Sequence, residues 1–221
     1  MPLDSDAGAR SAKPVRSYAV FVFALIIGLF LGGLEWKKAV ILTVAGLVLV
    51  VPVWAKVLKP YQKQRLTSFL NPDTDPKGSG YQVKQSLIAV GDGGIWGRGA
   101  TKGTQTQGDF LPIPYTDFIF AAFCEEHGFV GAVFVLLLYF LILTRLIQNA
   151  QTAADISGTF LIMGVVAVLI FQIAVNVGMV IGLMPVTGIP LPLMSYGGSS
   201  VLFTFLALGI AMNVRMSRFV N

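Results

Sequence analysis

Between positions 94 and 107 the chain reads Gly94-Ile95-Trp96-Gly97-Arg98-Gly99 and then Gly103-Thr104-Gln105-Thr106-Gln107. Glycine lets backbone N–H groups close on an anion, and Arg98 and Lys102 supply charge for a phosphate. The same composition also describes a solvated surface loop. Further on, Thr116-Asp117-Phe118-Ile119-Phe120 opens an apolar run. Thr116 is a good N-cap residue, which puts Asp117 in the first helical turn, where the macrodipole favours a carboxylate. A carboxylate held there beside a basic loop is suited to take a proton from a hydroxyl; the plainer meaning of the pair is a helix start. Glu125-Glu126-His127 follows two turns later. Ionisable residues at membrane depth are functional candidates. No second His stands at metal spacing, however, and a snorkelling or bundle-facing cluster fits the trio better. The stretch from Pro190 to Ser200, Pro-Leu-Pro-Leu-Met-Ser-Tyr-Gly-Gly-Ser-Ser, supplies small residues for close helix packing, or a broken helix that lines a cavity.

The elements that must position these residues are membrane helices. Of 221 residues 55% are hydrophobic and 12% charged, against about 25% charged in a soluble domain, so lipid is the expected solvent. Half of the 16 Lys and Arg lie between Lys56 and Lys102, and none lies between Arg145 and Arg215. The fold class is therefore all-α, a polytopic transmembrane helix bundle of about five spans with one long extracytoplasmic loop. Uncharged stretches of helical length place spans near 17–34, 39–55, 158–183 and 194–214; the uncharged Gly128–Thr144, with an apolar pattern reaching back through Phe118–Cys124, places a longer one near 118–145, leaving the loop at 56–116 and a disordered polar tail at 1–16. Arg10, Lys13 and Arg16 resemble the start of a signal peptide. Ser17–Leu34 is longer than such a segment needs, and Glu35-Trp36-Lys37-Lys38 follows it instead of a cleavage site. Pro185, Pro190 and Pro192 end the helix between the last two spans. Within the loop, Asn71–Gly78 is turn chemistry, Tyr81–Val90 suits a short amphipathic helix, and Gly91–Gly108 is expected to be irregular.

Lys37, Lys38, Arg145, Arg215 and Arg218 fall on one face of a five-span bundle. The positive-inside rule makes that face, and the C-terminus, cytoplasmic and the long loop external. The basic tail then falls outside, against the rule, a conflict expected from missing upstream spans or from a divergent start. The net charge of +5 does not indicate nucleic acid, because the basic residues border apolar spans and stand on no soluble domain. The single Cys124 excludes an internal disulfide.

Several motifs then stand in order: Pro60-Tyr61-Gln62-Lys63-Gln64-Arg65, Gly80-Tyr81-Gln82-Val83, Gly103-Thr104-Gln105-Thr106-Gln107, Thr116-Asp117-Phe118-Ile119-Phe120, Glu125-Glu126, and Pro190-Leu191-Pro192 through Ser195-Tyr196-Gly197-Gly198-Ser199. From about residue 17 to the end the chain resembles the SEDS family (shape, elongation, division and sporulation), which includes RodA and FtsW. The Gly103–Gln107 segment and Asn176-Val177-Gly178-Met179-Val180 look more like the RodA branch. The resemblance implies a peptidoglycan glycosyltransferase of the bacterial cytoplasmic membrane that polymerises lipid II for cell-wall elongation and shape. A sugar hydroxyl of lipid II attacks the lipid-linked glycan, and undecaprenyl pyrophosphate leaves.

The resemblance carries the family's essential acid onto Asp117, here as general base, and implies Arg98 and Lys102 as pyrophosphate contacts. Gln105 and Gln107 become contacts for sugar hydroxyls, and Thr116 and Ser195 further substrate contacts. It also implies a class B penicillin-binding protein as partner and allows a divalent cation, Mg or Mn, at the leaving pyrophosphate. Two departures stand out. The family has about ten spans, so this chain matches the C-terminal half of the fold. Ile113 and Tyr115 take the places of a family carboxylate and imidazole. A lipid-linked precursor transporter (flippase) and an inactive fragment that only binds the penicillin-binding protein are the competing functions. Few polar groups, Gln172 and Asn176, interrupt the last two spans, which weighs against a transport path.

Overall fold

The computed structural model describes residues 78–108, 110–111, 114–153 and 155–217. The expected spans near 17–34 and 39–55, the tail and the first part of the loop lie outside the described residues. Among the described residues five helices follow one another: α1 (Ser79–Asp92), α2 (Thr104–Gln107), α3 (Ile119–Gln151), α4 (Ile156–Val180) and α5 (Gly198–Ser217). Three of them, Ile119–Gln151, Ile156–Val180 and Gly198–Met216, are long and apolar enough to cross a membrane. The protein is an all-helical polytopic membrane protein. α3 packs along α4, and α5 packs against both. Phe129, Phe134, Phe140, Leu202 and Phe205 are exposed on these helices, the expected outcome where the solvent is hydrocarbon and not water.

α1 lies on the end of α3 near its start and also touches α4. Its buried residues Gly80, Val83, Ser86 and Ala89 recur every three positions and so share one face. Ser86 Oγ lies 3.0 Å from the carbonyl of Val180, tying this face to the last residue of α4. The helix is longer than the amphipathic pattern alone defines, reaching through Gly91 to Asp92. Gly91–Gly108 is accordingly less irregular than its composition predicts, with α2 as a further turn of helix inside it.

α3 is 33 residues long, but Gly128 breaks it with φ +67. The apolar run around Gly128 reads as one unbroken span, because glycine in an apolar stretch looks the same whether or not the ladder continues. The part after the break, 129–151, is about 34 Å long at 1.5 Å per residue, about the width of a bilayer core on its own. The preceding turns, with Glu125 and Glu126, therefore stand towards the membrane surface.

α4 begins with Asp155 as N-cap, whose carboxylate accepts the Gly158 N–H at 3.2 Å. Such a cap stabilises a helix by about 1 kcal/mol. α4 ends in a left-handed turn at Gly182 (φ +71), with the Leu183 N–H donating to Gly178 O at 2.7 Å. This glycine termination stops the helix before the first of the three prolines. The chain from 181 to 197 is non-helical, and α5 starts only at Gly198. Yet Ile189, Leu191 and Pro192 in this segment are buried. Irregular backbone next to a membrane must be satisfied by protein. Here Asn176 Nδ2 serves Ile189 O at 2.7 Å, Tyr139 Oη donates to Pro192 O, and Ser195 Oγ accepts the Leu191 N–H at 2.7 Å.

Candidate active site

Asp117 stands in the turn just before α3, not in its first helical turn. Phe118 occupies the N-cap position, and no side chain caps the helix, so the expectation that Thr116 is the cap is corrected. The reason is tertiary. The Thr116 carbonyl accepts Ser195 Oγ–H at 2.7 Å, and the Asp117 carbonyl accepts Asn176 Nδ2–H at 3.0 Å. The Tyr115 carbonyl accepts the Tyr196 N–H at 2.9 Å. Three consecutive carbonyls bound to α4 and to the proline-rich segment hold the backbone out of helical geometry. Asn176 is fully buried and donates to both Asp117 O and Ile189 O. Gly188 (φ +68) lies so close that a Cβ there would sit 2.9 Å from Asp117 Oδ2. A glycine serves both the left-handed backbone and the near approach of the carboxylate.

Beside Asp117 opens a cavity of about 460 Å³, lined among the described residues by Thr116, Asp117, Gln172, Ile189, Pro190, Tyr196, Gly197, Ser199, Ser200 and Phe203. One carboxylate thus faces neutral hydroxyl and amide groups and two aromatic rings, a lining suited to a polar, hydroxyl-rich ligand. Tyr196, Ser199 and Ser200 belong to the Pro190–Ser200 stretch, for which lining a cavity was one of the two readings, and Gln172 was named only as a polar group in a span. The signal available for Gln172 and Asn176 was polar chemistry inside an uncharged span.

A second cluster forms around Glu125, which is fully buried. Of the two readings, a snorkelling or a bundle-facing residue, its burial fits the second. Its carboxylate accepts the Gln105 N–H at 2.7 Å, the Thr106 N–H at 3.0 Å and the Thr106 Oγ1–H at 2.5 Å. A Cβ on Gly103 would lie 2.6 Å from its Oε2. Glu126 Oε1 accepts the Thr101 N–H at 2.9 Å. His127 stacks on Phe123 with ring centroids 4.3 Å apart.

The break at Gly128 is filled by the loop. In a continuous helix the Phe129 and Val130 N–H groups would bond Glu125 O and Glu126 O. Here those carbonyls accept the N–H groups of Arg98 and Gly99 at 2.9 and 3.0 Å, and Phe129 and Val130 donate to Gly94 O and Ile95 O at 2.9 and 3.1 Å. The approach is close enough that a Cβ on Gly97 or Gly128 would collide with opposing backbone at 2.1 and 2.3 Å.

The expected contacts separate accordingly. Thr116, Asp117 and Ser195 come together, but Ser195 is buried, and its hydroxyl both donates to Thr116 O and accepts from Leu191 N. It holds the backbone of the site. Arg98, Lys102 and Gln105 gather on the Glu125 side, and Gln107 is exposed at the end of α2. None of these four lines the Asp117 cavity. Arg98 pairs with Asp92. That hydrogen bond holds the Asp92 carboxyl below the usual carboxylate range and raises the guanidinium above its own. Lys102 is exposed, and Gln105 Oε1 is buried with no partner among the described residues.

The profile of the FtsW/RodA/SpoVE family, described as a cell cycle protein, matches residues 14–219. The peptidoglycan glycosyltransferase MrdB of Escherichia coli K12 is 41% identical over 190 residues, 86% of this chain and 51% of its own length. Stage V sporulation protein E of Bacillus subtilis 168 is 43% identical over 201 residues, 90% of this chain and 54% of its own. Among solved structures, a chain from work on the structural coordination of polymerization and crosslinking by a peptidoglycan synthase complex superposes with a TM-score of 0.75. It shares 38% identity, over 95% of this chain and 57% of that one. A mutant of the rod shape determining protein RodA of Thermus thermophilus gives 0.56 at 28% identity, over 98% and 58%. The chain spans about half the length of the curated relatives it matches. With a family match over nearly its whole length and relatives about 40% identical, this integral membrane protein belongs to the FtsW/RodA/SpoVE family.

Proposed function

We propose that this chain carries the base-bearing half of a peptidoglycan glycosyltransferase that joins lipid II units into glycan strands at the outer face of the bacterial cytoplasmic membrane. The observation that carries this reading is Asp117 on a backbone fixed by Asn176, Ser195 and Tyr196, lining a cavity of about 460 Å³ with hydroxyl and amide walls. A sugar hydroxyl of lipid II enters the cavity, and Asp117 takes its proton. The hydroxyl oxygen bonds the anomeric carbon of the growing strand as the bond from that carbon to pyrophosphate breaks. The electron pair leaves on undecaprenyl pyrophosphate. Positioned proton transfer of this kind contributes about 10²–10⁴-fold. Outside the cavity, Arg98 and Lys102 meet the negative charge on the pyrophosphate and the exposed Gln107 a sugar hydroxyl, while Thr116 meets the acceptor at the cavity wall; Gln105, with its Oε1 buried, is left without that role.

A divalent cation would find Asp117 with Gln172 and the Ser199 and Ser200 hydroxyls in this cavity. That set fits an ion such as magnesium, which keeps waters and shares its shell with substrate phosphates. It would neutralise the leaving pyrophosphate, and no step above is routed through it. The direction of the helices supports the orientation. The ends of α3 and α5, with Arg145 and Arg215, lie on one side, and Asp117, α1 and the segment 93–108 lie on the other. Arginine marks the cytoplasmic side, so the C-terminus is cytoplasmic and the site external. A class B penicillin-binding protein is the partner proposed, supported by the likeness to a chain from a synthase complex.

The test is polymer formation from labelled lipid II by membranes containing the chain, with Asp117→Ala and Asp117→Asn. Loss of polymer in both variants, with the protein still in the membrane, is expected. Full activity in either sinks the proposal. Movement of lipid II across vesicles without polymer would favour the transporter, and partner binding without polymer the scaffold.

A further inference from the structure

We propose that Glu125 is a positioning residue that sets where the segment 98–107 presents its cations and amides, clamping that segment to the helix that starts beside Asp117. This rests on the reading that Arg98 and Lys102 meet pyrophosphate. Glu125 has no exposed surface, so it touches no substrate. A buried carboxylate is tolerable only when its oxygens are satisfied. Here both are, by two backbone N–H groups and one hydroxyl of residues 105 and 106. The absence of a Cβ at Gly103 makes room for it.

Three further ties make the grip continuous. Glu126 takes the Thr101 N–H, and the Glu125 and Glu126 carbonyls take the Arg98 and Gly99 N–H groups. Thr101 has φ +62, a conformation that a β-branched residue adopts only where its surroundings impose it. Arg98 and Lys102 therefore project from a backbone held on both sides of each. The frame is the first part of α3, the seven residues from Ile119 to Glu125, or roughly 9 Å of helix. The base thus adjoins the start of this short rigid element and the cations are tied to its other end by Glu125.

The experiment is hydrogen exchange of the full chain in nanodiscs, read at peptides covering 98–108, paired with steady-state polymerisation in membranes. Glu125→Gln presents one acceptor oxygen to three donors and turns an amide N–H₂ towards them. Exchange at Gln105 and Thr106 is expected to rise at least about 10-fold, since hydrogen bonds to charged groups are the stronger kind. KM for lipid II should rise about 10-fold with kcat nearly kept. Thr106→Val, which removes one donor and keeps the volume, should show a smaller effect of the same sign and serves if Glu125→Gln fails to fold. Unchanged exchange in both variants overturns the clamp, even if Arg98→Ala raises KM. Raised exchange with KM unchanged in both Glu125→Gln and Arg98→Ala overturns the positioning role together with the assignment of the cations, leaving the role of Asp117 standing.

Discussion

Asp117 and Glu125 stand eight positions apart on one stretch of chain, yet their surroundings differ in kind. Asp117 has its backbone fixed and its side chain beside a cavity. Glu125 has its side chain enclosed and fully bonded. Both neighbourhoods use a glycine to let backbone approach a carboxylate, Gly188 for the first and Gly103 for the second. The difference separates two uses of an acid near a membrane. A carboxylate saturated by N–H groups holds structure, and one with room for a hydroxyl beside it can exchange a proton.

The largest expected effect tests the chemical side. Asp117→Asn should lower polymerisation by about 10²–10⁴-fold while the thermal unfolding midpoint in detergent stays put; a variant that lost stability as well would erase the distinction. Glu125→Ala should do the reverse first, removing about 1–3 kcal/mol for each buried donor left unpaired, and this is read as a lowered unfolding midpoint. Gly188→Ala sharpens the comparison, because its added Cβ meets Asp117 Oδ2 at 2.9 Å on a left-handed backbone. It should cost about 1–2 kcal/mol and depress activity more than Gly103→Ala does at comparable loss of stability.

Asn176→Leu leaves Asp117 O and Ile189 O without their donor. We expect about 1–3 kcal/mol of destabilisation and about a 10-fold fall in kcat, measured together on one preparation. The smallest effect concerns Asp92. Its pKa is lowered in the folded protein by Arg98, so the pair holds the loop above the ordinary carboxylate range and lets go as pH falls through the lowered value. Protection in 93–108, taken relative to the intrinsic exchange rate at each pH, should therefore fall on acidification in the wild type and lose that dependence in Asp92→Asn.

Much of this architecture was legible in the residues. Spans show as long stretches poor in charge, and three of the helices, Ile119–Gln151, Ile156–Val180 and Gly198–Ser217, overlap the stretches read that way, the first running past Arg145 to Gln151. The proline-rich break was visible because proline cannot continue a helix. Its onset at Gly182 was not, since a glycine ends a helix only when the following residues can bond back onto the last turn. Asp117 could be picked out by type and motif, but its exit from the helix could not. That depends on Asn176, Ser195 and Tyr196, which are 59, 79 and 81 positions away from their partners. Glu125 could be read as bundle-facing, but its partners could not be named, because the N–H groups of residues 105 and 106 belong to every residue type and leave no trace in composition.

The break at Gly128 carries one more consequence. Two rungs of the α3 ladder are replaced by four bonds to residues 94–99, so the loop is sewn into the helix and does not merely rest on it. Pulling the loop away leaves four groups of the helix without partners at the mouth of the bilayer, where water replaces them poorly, until Gly128 leaves its φ of +67 and the two rungs close on each other. Loop and helix should then come apart in a single step, and a partner that grips the outer loop gains a lever on the transmembrane rod beneath it.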